Sequence, residues 1–338
     1  MTTLTCVPTY LCPSQRLKFS RCTIVPGVKV VRLSGTLKEA ISALSKRLPV
    51  QPEFGITHAV CIDEEEYINS LKARLHDEGS ELPDFSPIEP ESLAKQAILS
   101  LIFAGRVSFA FRGAYTLKVA LRGHRKTYQA AGYAGGPLYQ ISTPMGAALL
   151  EGTGTWPQIN PRKVAQFGKK LDRYFRSGIW WTDRLAMAVS YFWNALCTPF
   201  PEQSFLSLTT ALESLLSTQS IEITHILAER CAILTAKDPS SRLSTYRTVK
   251  KLYKIRSKVV HGKAFPKKGA QTWESLSIGA KRSYVPMSSL RSLVDLTVSV
   301  IMSVFSNHEL LGIIQTKKSE HKENEELEEY FAKSLFRA

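Results

Sequence analysis

VKKLYKIRSKVVHGK, residues 249–263, interleaves lysines with aliphatic and tyrosine side chains at helical rather than strand spacing. Taking Leu243 as zero at about 100° per residue, Tyr246, Val249, Leu252, Tyr253, Val259 and Val260 fall between roughly 160° and 300°. They form one apolar arc of a helix predicted over residues 242–261. Arg247, Lys250, Lys251, Lys254 and Lys258 fall between about 340° and 80°, a separate cationic face. An arc that wide needs apolar partners, so the segment reads as one wall of a helical bundle.

Two side chains do not fit a plain core helix. Arg256 falls at roughly 220°, in the middle of the apolar arc. An unpaired charge there would cost several kcal/mol, so it must be ion-paired, with Glu213 or Glu229 as candidates, or sit at a functional cleft. His261 falls at about 0° among the lysines, and Gly262 directly after it is a good C-terminal cap residue. Arg256 and His261 lie about 140° apart, too far for one straight helix to aim both at one small target. Either the helix end unwinds or a two-fold partner supplies a second copy of each. A plain core ion pair beside a surface histidine stays open.

Outward from this run, helical spacing continues over 161–177, 183–197, 201–217, 222–236 and 287–306. Thr182–Asp183 and Ser240–Ser241 are plausible caps, and Pro199, Pro201 and Pro239 punctuate short connections. The apolar run Leu293 to Phe305 is broken by Asp295 and serines and is shorter than the roughly 20 residues of a membrane span, so a core helix is expected. The first 150 residues are different. KVVRLSG, THAVCI, VSFAFRG and LKVALRG read as short strands, and EPESLAKQAILSLIFAG as a helix ending at Gly105. GYAGGP (132–137) lacks the GK[ST] ending of a phosphate loop and reads as a turn.

The expected organisation is therefore an α+β N-terminal domain over residues 1–155, followed by an all-α helical bundle over 160–315 and a charged tail over 316–338. The tail carries six glutamates against one lysine between Glu320 and Glu329. It reads as a solvated or frayed end, with a regulatory contact to the basic segment as the other reading.

Charge is concentrated as well as large. The net formal charge is +15, and residues 242–290 hold twelve Lys or Arg against the single acid Glu274. An anionic partner is expected. Cys6, Cys12, Cys22, Cys61, Cys197 and Cys231 form no CxxC pair and read as reduced thiols; His58, His76, His124 and His225 are too dispersed to form a metal ligand set. No metal or other cofactor is expected. The N-terminus has no basic start followed by an unbroken apolar stretch, so a cytoplasmic protein is expected, without a membrane.

Arg-x4-His at the end of a basic helix resembles the HEPN superfamily. FLSLTTALESLLS (205–217), ITHILAERCAILT (223–235) and VKKLYKIRSKVVHGK, in that order, resemble its Apea-like branch. The resemblance covers roughly residues 160–315. It implies metal-independent RNA cleavage in sites assembled where two HEPN domains dimerise, which would bring two Arg256/His261 pairs into one composite cleft. Arg256 would hold the scissile phosphate and His261 would move protons during attack by the ribose 2′-OH. Glu213 would orient Arg256, and Ser257 stands where many superfamily nucleases carry a larger polar residue. Lys250, Lys251, Lys254, Lys258 and Lys263 would bind the RNA backbone. The implied setting is a toxin or anti-phage defence effector whose N-terminal domain binds a trigger or inhibitor. The other reading is a noncatalytic HEPN module that binds RNA or nucleotides, or only dimerises.

Overall fold

A computed structural model describes residues 2–11, 21–33, 35–45, 58–77, 90–105, 109–111, 115–122, 125–133, 160–176, 183–198, 200–219, 221–261, 285–315 and 319–336. These fall into two compact units: an α+β unit, and a helical unit that begins at Tyr174.

The α+β unit is built on one antiparallel sheet. In chain order its elements are β1 (Thr2–Leu11), β2 (Arg21–Val25), β3 (Val28–Arg32), α1 (Gly35–Ser45), β4 (His58–Ile62), α2 (Glu64–Asp77) and α3 (Pro90–Gly105), then β5 (Phe109–Phe111), β6 (Tyr115–Arg122) and β7 (Arg125–Tyr133). The strand order is β2-β3-β4-β1-β6-β7, with β5 also paired to β1. One flank of β1 follows β4 over Thr5–Thr9; the other pairs with β6 over Thr2–Cys6 and with β5 over Thr9–Leu11. Pro8 lies at that exchange of partners, where one flank of the strand has no ladder to lose.

Every residue of β4 is buried, which requires cover on both faces of the sheet. Ala59 and Cys61 join Leu33, Leu37, Ala40 and Leu117 in a cluster under α1. α3 packs against β3 and β4, burying Leu93, Ala94, Ala97, Ile98, Leu101 and Ile102. The Pro26–Gly27 turn joins β2 to β3 with Gly27 at φ +79°, a conformation that favours glycine. Its carbonyl accepts the Asp63 N–H at 2.7 Å, which seats the turn on the start of α2.

The boundary between the units falls inside α4 (Pro161–Arg176), between Arg173 and Tyr174. The reason is packing. Gly168 has no Cβ to collide with Ile24, whose Cγ2 would lie 2.4 Å away. Phe167 meets Phe103 edge-on at 5.7 Å. Buried Asp172 accepts the Tyr67 hydroxyl at 2.7 Å and lies 3.5 Å from Arg74. Most of α4 thus belongs with the sheet.

The helical unit continues with α5 (Arg184–Cys197), α6 (Pro201–Leu216), α7 (Ile223–Thr235), α8 (Pro239–Val260), α9 (Met287–Ser306), α10 (His308–Gln315) and α11 (Glu320–Phe336). Asp183 caps α5, accepting the Ala186 N–H at 2.7 Å and the Tyr174 hydroxyl. α5 and α6 form one antiparallel hairpin and α7 and α8 another, and α9 packs against α5, α6 and α7. Among the described residues α9 is the helix long and apolar enough to cross a membrane. Here it is a bundle helix, with Leu290, Leu293, Val294, Val298, Ile301 and Val304 buried.

The charged tail is not a solvated end. α11 buries Leu327, Tyr330 and Phe331, which recur on one face at i, i+3 and i+4. Arg230 on α7 is 2% exposed. It pairs with Glu328 at 2.6 Å, stacks on Phe331 at 4.8 Å and donates to the Leu216 carbonyl. Arg184 pairs with Glu323 at 2.8 Å and donates to the Ser217 carbonyl. Glu323 and Glu328 of the tail therefore meet two arginines at the end of α6, while Glu325 and Glu329 pair with His321 and Lys333 of the same helix.

Candidate functional site

α8 carries the site, and its register is set at its first turn. Asp238 accepts the Ser241 N–H at 2.9 Å, and the Ser241 hydroxyl meets the Asp238 N–H at 3.2 Å, a capping box. Pro239 occupies the first helical position, where no N–H is needed. The helix accordingly starts before the Ser240–Ser241 cap that the sequence reading proposes.

From that start, Val249, Leu252 and Tyr253 turn into the bundle. Arg256 follows one turn later and meets Glu213 of α6. Its Nε lies 3.0 Å from Oε1 and its Nη2 donates to Oε2 at 3.1 Å. The Tyr253 hydroxyl donates to the same Oε1 at 2.9 Å, and the guanidinium lies 5.7 Å from the centre of the Tyr253 ring. Burial, with the adjacent Glu213 charge, pushes the Tyr253 hydroxyl well above the ordinary tyrosine range, so it stays a donor.

The grip is side-on: Nη2 donates to the carboxylate, while Nε lies within ion-pair distance of it but makes no hydrogen bond among the described residues. Nη1 has no partner among the described residues, and the Arg256 side chain is 32% exposed. The cation is thus held from behind by a carboxylate with its other edge open, which suits an incoming phosphate oxygen. Glu213 is therefore the arginine's partner, and Glu229 is not. Tyr253 is a member of the site that the sequence reading missed. Its only signal is a tyrosine three residues before the arginine on the same arc, which a core position explains equally well.

His261 ends the helix. Its N–H donates to the Ser257 carbonyl at 3.1 Å, and its backbone, at φ −87° and ψ 9°, has left the helical region. Its side chain and that of Ser257 are exposed. No hydrogen bond or ion pair joins His261 to Arg256; the helix is regular through Val260, so their angular separation persists almost to its end. Gly262 and Lys263 lie outside the described residues. Lys250, Lys251, Lys254 and Lys258 are exposed, as is Arg247, and none of the five has a carboxylate partner among the described residues. Lys250, Lys254 and Lys258 repeat at i, i+4, and each such like-charge step weakens a helix by roughly 0.2–0.5 kcal/mol. An anion laid along the face would relieve that repulsion.

Comparison with protein-family models, curated proteins and solved structures finds no match to the chain.

Proposed function

We propose that the helical unit is a metal-independent endoribonuclease of HEPN type, acting as a homodimer. The observation that carries this reading is the side-on clamp of Arg256 by Glu213. It holds a guanidinium at the surface of an apolar wall, with one edge open, on the helix that also carries the lysine face.

In this reaction His261 takes the proton of a ribose 2′-OH, and O2′ attacks the adjacent phosphorus. The O2′–P bond forms as the P–O5′ bond breaks, leaving a 2′,3′-cyclic phosphate and a 5′-hydroxyl. The departing O5′ takes a proton from the histidine of the second copy. Arg256 donates to the nonbridging oxygens as their charge rises, while Glu213 and Tyr253 keep it from following the product. Ser257, between the two catalytic side chains, is a short polar contact to the strand. Lys250, Lys251, Lys254, Lys258 and Lys263 supply salt-sensitive affinity for the backbone. The second copy matters because Arg256 and His261 of one chain point about 140° apart. The α+β unit would hold a trigger or inhibitor, in a cytoplasmic toxin or anti-phage effector.

A noncatalytic RNA- or nucleotide-binding module is the second reading, favoured by the Arg256–Glu213 pair being satisfied without His261. Labelled RNA incubated in EDTA with the parent, Arg256→Ala and His261→Ala decides between them. Cleavage by the parent alone, with cyclic-phosphate ends and none on DNA, supports the nuclease; binding without cleavage by all three leaves the binding module. Sedimentation at micromolar concentration tests the composite site, and a fully active monomer would sink it.

A further inference from the structure

Away from the Arg256 clamp, the start of α7 and the middle of α8 meet in a second cluster of polar and aromatic groups. His225 and Tyr246 are joined by a 2.8 Å hydrogen bond between Nδ1 and the phenol oxygen. Their rings stand edge-to-face, with centroids 5.8 Å apart and planes at 82°. The Lys250 ammonium lies 5.3 Å above the centre of the Tyr246 ring. His225 and Lys250 are exposed and Tyr246 is half-buried. Arg242, one turn before Tyr246, has a buried Nε with no hydrogen-bond partner among the described residues.

An exposed histidine bonded to a tyrosine could simply pin two helices together. Three features point further. First, the pin puts an aromatic ring, fixed by its own hydroxyl, among cations with no carboxylate partner among the described residues, on a helix that carries no acid between Pro239 and Val260. Secondly, the ring borders the line of the lysines. On the α8 wheel Tyr246 falls at roughly 300°, the edge of the apolar arc, beside Lys250, Lys254 and His261 at roughly 340°, 20° and 0° on the cationic face. Thirdly, the line has length: fifteen residues at a 1.5 Å rise place Tyr246 about 22 Å from His261 along the axis.

We propose that His225, Tyr246 and Lys250 form a base-stacking subsite for single-stranded RNA, at the far end of a track that leads along Lys254 to the His261 end of α8. A base lies on the tyrosine face. Lys250 swings from above the ring to the neighbouring phosphate, exchanging a cation–π contact for an ion pair. His225 holds the ring upright, so stacking orders little that is not already ordered. Duplex RNA is excluded, because its bases are not free to lie on a side chain. The subsite thus selects unpaired substrates several nucleotides long. This inference rests on the reading of the helical unit as RNA-acting and specifies its substrate.

The test uses the full chain with His261→Ala, so that RNA is bound and not cut. The probes are a single-stranded RNA long enough to span the track, carrying a fluorescent adenine analogue at either terminus in turn, and a dinucleotide. Quenching of the analogue at one terminus but not the other is expected. Tyr246→Ala should abolish it and weaken the long strand about 5- to 100-fold, the usual range for losing one base–aromatic stack, without changing dinucleotide binding. Tyr246→Phe, which keeps the ring, should retain the quenching. Lys250→Gln, at an exposed position that does not endanger folding, should weaken the long strand alone. Unchanged long-strand affinity in both Tyr246→Ala and Lys250→Gln overturns the subsite, and if the parent still cuts RNA the nuclease reading survives. A parent chain that binds neither probe at low salt overturns both.

Discussion

Glu213 faces the Nε and Nη2 edge of Arg256, at 3.0 and 3.1 Å, and the Tyr253 hydroxyl donates to the same carboxylate, on the Oε1 that Nε faces, at 2.9 Å. The carboxylate sits on α6 and the other two residues on α8, so helix packing and the aim of one guanidinium are the same geometric fact.

Arg256→Lys is therefore expected to behave differently from a loss of charge. An ammonium can pair with Glu213 but cannot also present a second edge, so folding should survive while cleavage falls by about 100-fold or more. Glu213→Gln keeps a hydrogen-bond acceptor for Tyr253 but removes the counter-charge. It should lower both stability, by about 1–2 kcal/mol, and activity. Thermal melts beside RNA cleavage assays read the two effects separately; equal activity in Arg256→Lys and the parent would remove the fork from the mechanism.

The C-terminal helix gives a prediction opposite to that for a shielding tail. Glu328 is 43% exposed, a position where substitution is ordinarily harmless, yet its partner Arg230 is almost fully enclosed. Glu328→Ala leaves that cation without its carboxylate and should cost about 2–3 kcal/mol. Deleting residues 319–338 also uncovers the surface beneath Leu327, Tyr330 and Phe331. The result should be loss of cooperative unfolding or of soluble protein, rather than a gain in RNA affinity. A stable truncated chain that binds RNA more tightly would restore the shielding role.

What could be read from the sequence follows from how much each side chain reveals alone. Arg256 was legible because a charge in an apolar arc demands a partner, and Glu213 stood on a neighbouring helix. Tyr253 was not, because a tyrosine in that arc is already explained by burial. The strands at 29–35, 57–62, 107–113 and 117–123 and the helix ending at Gly105 show up in the structure as β3 to β6 and α3, with shifted ends. KVVRLSG runs past its strand because Gly35 opens α1. β1 escaped notice because Pro8 interrupts it, and only the exchange from β6 to β5 makes that proline tolerable. α11 was hidden by its glutamates: three apolar residues carry its packing, and the arginines that pair with Glu323 and Glu328 lie about 100 to 140 residues away in sequence.

In the α+β unit, two glycines are expected to resist substitution for different reasons. Gly27 combines φ +79° with backbone on two sides, since an added Cβ would lie 2.5 Å from the Asp63 carbonyl oxygen and 2.6 Å from the Tyr67 nitrogen. Gly27→Ala has no relief and should destabilise by about 2–4 kcal/mol. Gly168→Ala meets a side chain, the Ile24 methyl, and should cost about 1–3 kcal/mol. Pairing it with Ile24→Ala should recover part of the loss. Urea titration of the single and double variants checks this; additive losses would mean that the close approach is not what limits Gly168.

Alkaline pH should loosen both units through their buried thiols. Burial pushes Cys22 in the sheet up to about 11 and Cys231 in α7 up to about 12, from an ordinary value near 9. A folded-state value above the unfolded one means the unfolded chain gives up its proton first. The stability these thiols contribute is therefore complete below about pH 9 and is lost as pH rises toward 11 and 12. Tyr174 and Tyr253 are pushed up by burial beyond this window, so the thiols titrate first. Melting temperature should hold steady to about pH 9 and then fall, and Cys231→Ala should flatten part of that fall. In the native state near neutrality, Cys22 and Cys231 should react with an alkylating reagent only as fast as the chain opens. Rapid labelling of Cys231 in folded protein would contradict its burial, and with it the packing of α7 that supports Arg230.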